Sequence, residues 1–157
     1  MKNHIFVLPR LHYSKMLEGL SQEKKNQSAF IQINEPFRGK ELFGGSNIPL
    51  QNDCLNVLNL WFDDAEEDLP LLNGDKLVLF DEEMAEKIYE FVMANRQAKM
   101  WMIHCTAGQC RSGAVGEVLS EYFQIPYNEF KFFNPQVKPN VLVKNLLRKK
   151  FFYHGSQ

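Results

Sequence analysis

The part of the sequence that most constrains the fold is a strand, loop and helix pattern in residues 99–123. The apolar run KMWMIH (99–104) has the length and composition of a buried β-strand. A short loop of mostly small residues follows it, and an apolar stripe at helical spacing begins after Arg111. A buried strand that leads directly into a helix is typical of α/β proteins, in which the strands run mainly parallel.

The rest of the chain shows the same alternation of strands and helices. Further strands are predicted at 5–8, 28–33 and 54–62, with helices at 12–20, after an N-cap at Asp81, at 111–123 and at 139–150. Glycine and proline make 37–53 a long irregular loop. We therefore expect an α/β fold, with a central mainly parallel β-sheet flanked by helices, and a single domain over residues 1–157.

Three residues on the predicted strands are expected in the core. Trp61 and Trp101 are large aromatic side chains on apolar strands, and Cys54 opens the run CLNVLNLWF. A free cysteine in such a position behaves as a small apolar residue. All three are therefore predicted to be buried.

Composition and charge exclude several classes of protein. A net charge of −1 provides no basic field for nucleic acid or for an anionic membrane. No apolar run approaches the roughly 18–20 residues of a membrane span, and the apolar stretch near the N-terminus is short for a secretory signal. Three cysteines without framework spacing favour free thiols and a reducing compartment. We expect a cytoplasmic monomer without a cofactor, a nucleic-acid partner or a membrane partner.

The loop between the strand at 99–104 and the helix at 111–123 has the chemistry of an anion site. It lies beyond the carboxyl end of a strand, where ligands bind in parallel α/β sheets. Its small residues and Gly108 allow successive backbone N–H groups to point inward, and the N-terminus of the following helix adds partial positive charge. The residues expected to bind a phosphate or sulfate ion are Thr106, Ala107, Gly108, Gln109, Cys110 and Arg111.

Cys105 lies at the centre of this predicted site. Cysteines near an arginine and a helix N-terminus are commonly thiolates, so Cys105 is predicted to be a nucleophile. Ser112 is placed to donate a hydrogen bond to the sulfur, and His104 is expected to hold the loop without titrating. Cys110 is either a small loop residue or a thiol that forms a reversible disulfide with Cys105 after oxidation.

The segment HCTAGQCRSG resembles the HC-x5-R-[ST] signature of the cysteine-based protein tyrosine phosphatases, and most of all their compact dual-specificity branch. Cys110 stands where that branch commonly has serine. FFNPQVKPNVLVKNLL and LFDEEMAEKIYEF are similar to later and earlier segments of the family, so the likeness extends over about residues 54–148. It implies metal-free hydrolysis of phosphomonoesters through a phosphocysteine intermediate, with a phosphorylated protein or peptide as substrate.

The resemblance also implies an aspartate that protonates the leaving group. No aspartate follows Asp81, so the acid must lie upstream of Cys105, which excludes the low-molecular-weight branch of the family. Asp64 and Asp63 follow the strand at 54–62, at the sheet edge expected for Cys105. Asp64 is the first candidate, Asp63 the second and Asp68 the third, and a solvated acidic loop is the alternative for each.

Three other interpretations of the cysteine loop stay open at this point. The fold could carry a catalytically weak phosphate-binding module, or it could be a rhodanese-type sulfurtransferase, which also places cysteine in an anion-binding loop. The Arg-Ser pair and the preceding histidine speak against the sulfurtransferase. A metal site at His104, Cys105 and Cys110 lacks the ligand spacing of a zinc site.

Overall fold

The computed structural model describes residues 3–38 and 47–153 of the chain. Four strands and six helices lie in these ranges. The strands are β1 (His4–Pro9), β2 (Ser28–Asn34), β3 (Val57–Trp61) and β4 (Met100–Cys105). The helices are α1 (Arg10–Gly19), α2 (Gln22–Asn26), α3 (Glu82–Ala94), α4 (Arg111–Tyr122), α5 (Tyr127–Phe133) and α6 (Val141–Phe152).

All four strands form one parallel sheet in the order β1-β4-β2-β3. In the centre of the sheet Ile31 of β2 lies opposite Ile103 of β4. The predicted α/β fold with a parallel sheet and flanking helices is therefore confirmed. Because the strands share one direction, the residues that follow Pro9, Asn34, Trp61 and Cys105 all leave the sheet on the same side, at the carboxyl ends of the strands.

The two faces of the sheet are covered by different helices. Alternate strand residues such as Trp101 and Ile103 pack with α3, α4, α5 and α6 in the larger core cluster. Met102 points to the other face and packs with Tyr13 and Leu17 of α1. The two-residue side-chain period of β4 thus divides one apolar run between two cores.

Helix α4 is buried from Arg111 to Ser120, which is why it has no clear polar face. Gly116 allows this close packing, because a Cβ at that position would lie 2.5 Å from Cγ2 of Val7. The helix that carries the candidate site is therefore fixed against β1 by contacts that leave no room for a side chain.

Two of the three predicted core residues are not in the core. Strand β3 begins at Val57, so Cys54 lies in the turn before it and is exposed. Trp61 is the last residue of β3 and is 39% exposed, with its indole N–H donated to the carbonyl of Asn47. Trp101, on the central strand β4, is fully buried as predicted.

Several strand and helix boundaries differ from the predicted ones. The predicted N-cap at Asp81 is confirmed, because its side chain accepts the N–H of Met84. Helices α2 and α5 were not predicted, because five and seven residues are too few to show an apolar stripe. Residues 47–53 are irregular as expected, and the part of the predicted loop at 39–46 lies outside the described residues. In the described ranges, each helix is too short or too polar to cross a membrane.

Candidate active site

The candidate loop joins the end of β4 to the start of α4. Gly108 adopts a φ of 67°, which side-chain-bearing residues rarely adopt. A Cβ at Gly108 would also lie 2.8 Å from the carbonyl oxygen of Leu8 and closer still to the backbone nitrogen of Pro9. Both the backbone angle and the close approach to β1 therefore require glycine at this position.

Four carbonyl groups of the loop accept hydrogen bonds from outside it. The donors are the backbone N–H of Arg10 to Thr106 (3.3 Å), the side-chain amide of Gln136 to Gly108 (3.1 Å), and the backbone N–H groups of Lys138 to Gln109 (3.0 Å) and of Asn140 to Cys110 (2.9 Å). Three of these donors belong to the segment 136–140, between α5 and α6. That segment therefore binds the side of the loop on which these carbonyls lie, which is called its outer side below.

The fixed carbonyls determine where the loop N–H groups point. In a trans peptide the N–H of one residue points opposite to the carbonyl of the residue before it, and the described residues contain no cis peptide. The N–H groups of 107, 109, 110 and 111 therefore point away from the outer donors. Within residues 3–38 and 47–153, no N–H from 106 to 111 has a hydrogen-bond acceptor. Such a row of amides at a helix N-terminus is suited to binding an anion.

Cys105 is the last residue of β4 and lies at the base of this loop. Its side chain is buried, and its Sγ lies 3.0 Å from the Oγ of Ser112. Ser112 is fully buried in the first turn of α4. The structure thus places the serine hydroxyl where the sequence analysis expects it, within hydrogen-bond distance of the sulfur.

Arg111 is held by two partners that lie at the carboxyl ends of the neighbouring strands. Its Nη1 donates to the carbonyl of Phe62 at 2.8 Å, and its Nη2 lies 2.5 Å from Oε2 of Glu35. Burial of the guanidinium acts to lower its pKa, but the hydrogen bond and charge of Glu35 outweigh burial, and the pKa of Arg111 is raised. The side chain is 7% exposed, so Arg111 is a buried, permanently charged group beside Cys105.

Glu35 is a member of the site that the sequence analysis missed. Besides binding Arg111, its Oε2 accepts the hydroxyl of Thr106 at 2.6 Å. Glu35 directly follows β2, and β2 is the neighbour of β4 in the sheet. Its position one residue beyond a central strand was the available signal, but it required the strand order.

Of the three candidate acids, the structure brings Asp64 to the loop. Its Oδ1 accepts the side-chain N–H of Asn140 at 2.9 Å, and the carboxyl group is exposed in a cleft that also contains Cys110. Asp63 instead points to the 76–78 segment, where its Oδ2 accepts Arg38 at 2.5 Å and the N–H of Val78 at 2.7 Å.

Asp68 is exposed further along the same acidic loop, with no hydrogen bond or ion pair within the described ranges. In this structure Asp63, the second candidate, is bound by Arg38 and Val78 and not by the loop, and its role as the acid stays a prediction.

Cys110 faces the acidic side of the site. Burial raises the pKa of its thiol, and the charge and hydrogen bond of Asp64 raise it further. Cys110 is consequently a neutral thiol at physiological pH. Cys105 and Cys110 are both free in this structure, so the predicted reversible disulfide between them stays a prediction.

His104 directly precedes Cys105 at the end of β4. Its ring is fully buried and packs on Tyr13 at 4.4 Å, and neither ring nitrogen has a hydrogen-bond partner among the described residues. Burial lowers the pKa of His104 to about 3, and the positive charges of Arg10 and Arg111 contribute. The lowered pKa keeps the imidazole neutral at physiological pH, and the ring packs between β4 and α1, while the expected part of His104 in holding the loop stays a prediction.

Histidine, cysteine, aspartate and glutamate side chains in residues 3–38 and 47–153 form no group of three or more that could hold a metal ion.

No protein-family model matches the chain, and no curated protein matches its sequence. The likeness to cysteine-based phosphatases therefore rests on the residues of this chain alone.

Proposed function

We propose that this chain is a cysteine-dependent phosphomonoester hydrolase of the dual-specificity phosphatase type, acting on phosphorylated proteins or peptides in the cytoplasm. One observation carries the proposal: the loop whose N–H groups at 107, 109, 110 and 111 have no acceptor within residues 3–38 and 47–153 begins at a buried thiol, Cys105, and ends at a buried arginine, Arg111. These groups match the three needs of phosphoryl transfer to sulfur, namely oxygen binding, a nucleophile and charge stabilisation. The free state of all three cysteines supports a reducing compartment.

In the first step the phosphate oxygens are bound by the loop amides and by Arg111. The Cys105 thiolate attacks phosphorus, so that an S–P bond forms and the P–O ester bond breaks. The leaving oxygen takes its proton from the carboxyl group of Asp64, and general acid catalysis of this kind contributes about 10²–10⁴-fold. Fixed backbone donors stabilise the charge of the transition state without reorganisation.

In the second step a water molecule attacks the phosphocysteine. The Asp64 carboxylate takes a proton from the water, an O–P bond forms, and the S–P bond breaks to release phosphate. The departing sulfur recovers its negative charge, and a hydrogen bond from the Ser112 hydroxyl at 3.0 Å stabilises that charge. The chain's own residues thus supply nucleophile, acid, base and anion site.

Hydrolysis of an aryl phosphate tests the proposal. Wild-type protein should release phosphate in the presence of EDTA and should be inhibited by vanadate, and Cys105→Ser should abolish turnover. Cys54→Ser is the matched control, because Cys54 is an exposed thiol in the turn before β3.

Activity that is lost with EDTA but kept in Cys105→Ser would contradict the mechanism. Phosphate binding without turnover would favour a phosphate-binding module, and turnover of thiosulfate would favour a sulfurtransferase.

A further inference from the structure

Asn140 connects three parts of the molecule. Its side-chain Oδ1 caps α6 by accepting the N–H of Val143 at 3.0 Å. Its backbone N–H binds the carbonyl of Cys110 in the loop at 2.9 Å. Its side-chain Nδ2 donates to Oδ1 of Asp64 at 2.9 Å and to the carbonyl of Ala65 at 3.2 Å. One buried residue therefore links a helix, the phosphate loop and the loop that carries the acid.

The partners of Asn140 leave only one orientation for its amide. The N–H of Val143 can only donate, so Oδ1 must face it, while Asp64 and Ala65 offer oxygen atoms, so Nδ2 must face them. Capping alone would be served equally well by serine or aspartate. An asparagine has a planar group with an acceptor at one end and two N–H donors at the other. The residue type is thus explained by its contact with Asp64 as well as by the cap.

We propose that Asn140 is the positioning residue for Asp64, fixing the acid relative to the phosphate loop and assigning its proton to Oδ2. The inference rests on the proposed function. Because Oδ1 of Asp64 already accepts the N–H of Asn140, the acid form carries its proton on the other oxygen. Because the same residue binds the carbonyl of Cys110 through its backbone N–H, Asn140 connects the acid directly to the loop.

Geometry of this kind matters most when the leaving group needs a proton. An acid displaced by a fraction of an ångström transfers its proton poorly, whereas binding of phosphate by the loop amides and Arg111 does not involve Asp64. Loss of the Nδ2 contact should therefore affect esters of poor leaving groups and have little effect on esters whose leaving group departs as an anion. A residue needed only for folding would affect both kinds of ester equally.

Asn140→Asp is the sharpest variant. The carboxylate has the shape of the amide and keeps the capping oxygen, but it replaces the N–H donors that face Asp64 with an acceptor. The kcat for phenyl phosphate should fall by about tenfold or more, against a loss of at most about threefold for 2,4-dinitrophenyl phosphate. In an Asp64→Asn background the same substitution should cause no further loss, since the two residues act as one unit. Asn140→Ser keeps a capping oxygen without added charge and should show the same selectivity for poor leaving groups.

Equal losses on the two esters, or a loss that persists in the Asp64→Asn background, would overturn the inference and leave Asn140 a structural residue. A wild type inactive on both esters would overturn the proposed function itself, and the positioning role with it. A measurement without turnover checks the contact directly: the two side-chain N–H resonances of Asn140 should shift in Asp64→Asn and stay in place in Asp63→Asn. Unchanged resonances in Asp64→Asn would also refute the inference.

Discussion

The buried imidazole of His104 should make the stability of this protein sensitive to acid. Its pKa is about 3 in the folded chain against 6.5 for an ordinary histidine, chiefly because burial disfavours the charged ring. Between these two values the unfolded chain binds a proton that the folded chain does not, so stability falls as the pH is lowered through this window. The slope approaches about 1.4 kcal/mol per pH unit inside this window, and the total loss amounts to about 2.7 kcal/mol between pH 7.5 and pH 4.5.

Urea unfolding of wild type and of His104→Leu across this pH range measures the effect. Other groups that titrate contribute equally to both proteins, so the difference between their unfolding free energies isolates His104. Whatever the substitution costs at about pH 7.5, the difference should move in favour of His104→Leu by about 2.7 kcal/mol on reaching pH 4.5. A difference that stays constant to within about 0.5 kcal/mol would show that the folded chain protonates His104, and the reasoning would be wrong.

Three further substitutions separate the roles of the site residues. Asp64→Asn should lower kcat on a phosphotyrosine peptide by about 10²–10⁴-fold. Asp63→Asn should chiefly lower the midpoint of urea unfolding, because Asp63 binds Arg38 and Val78. A kcat of Asp64→Asn equal to that of wild type would place the acid elsewhere. Arg111→Lys should weaken vanadate inhibition and lower kcat by about 10²-fold, since lysine lacks the planar fork of donors, and wild-type inhibition would contradict this role. Gly108→Ala should cost at least about 1 kcal/mol of unfolding free energy and reduce phosphate affinity, because of the positive φ and the approach to Leu8; an unchanged midpoint would refute that argument.

The parallel sheet could be predicted because its strands are apolar runs of the right length. MWMIHC is buried at all but its first position, and SAFIQIN is buried throughout, so neither needed tertiary information to be recognised. The cap at Asp81 was equally local. Trp61 and Cys54 were misplaced for other reasons: Trp61 is the last residue of the edge strand β3 and is partly exposed there, and Cys54 lies before β3, which begins at Val57.

The residues of the candidate site that are close in sequence could be predicted from a local pattern, whereas Asp64 was chosen from the family resemblance and its place after a strand. Cys105, Arg111 and Ser112 fall within one short strand–loop–helix segment, and the structure brings them together. Glu35 reaches Arg111 from 76 positions away, and Asn140 reaches Asp64 across the same separation. Such contacts depend on which strands are neighbours and on how the 136–140 segment folds behind the loop, which no local pattern indicates.

Identification of the covalent intermediate tests the phosphocysteine mechanism most directly. Wild-type protein should be mixed with an aryl phosphate, quenched in acid within the first turnover, digested and examined by mass spectrometry. One phosphoryl group is expected on the peptide that contains Cys105, attached to its sulfur, and none in Cys105→Ser. Continued turnover with no phosphorylated peptide, or with the phosphoryl group on another residue, would contradict the phosphocysteine mechanism.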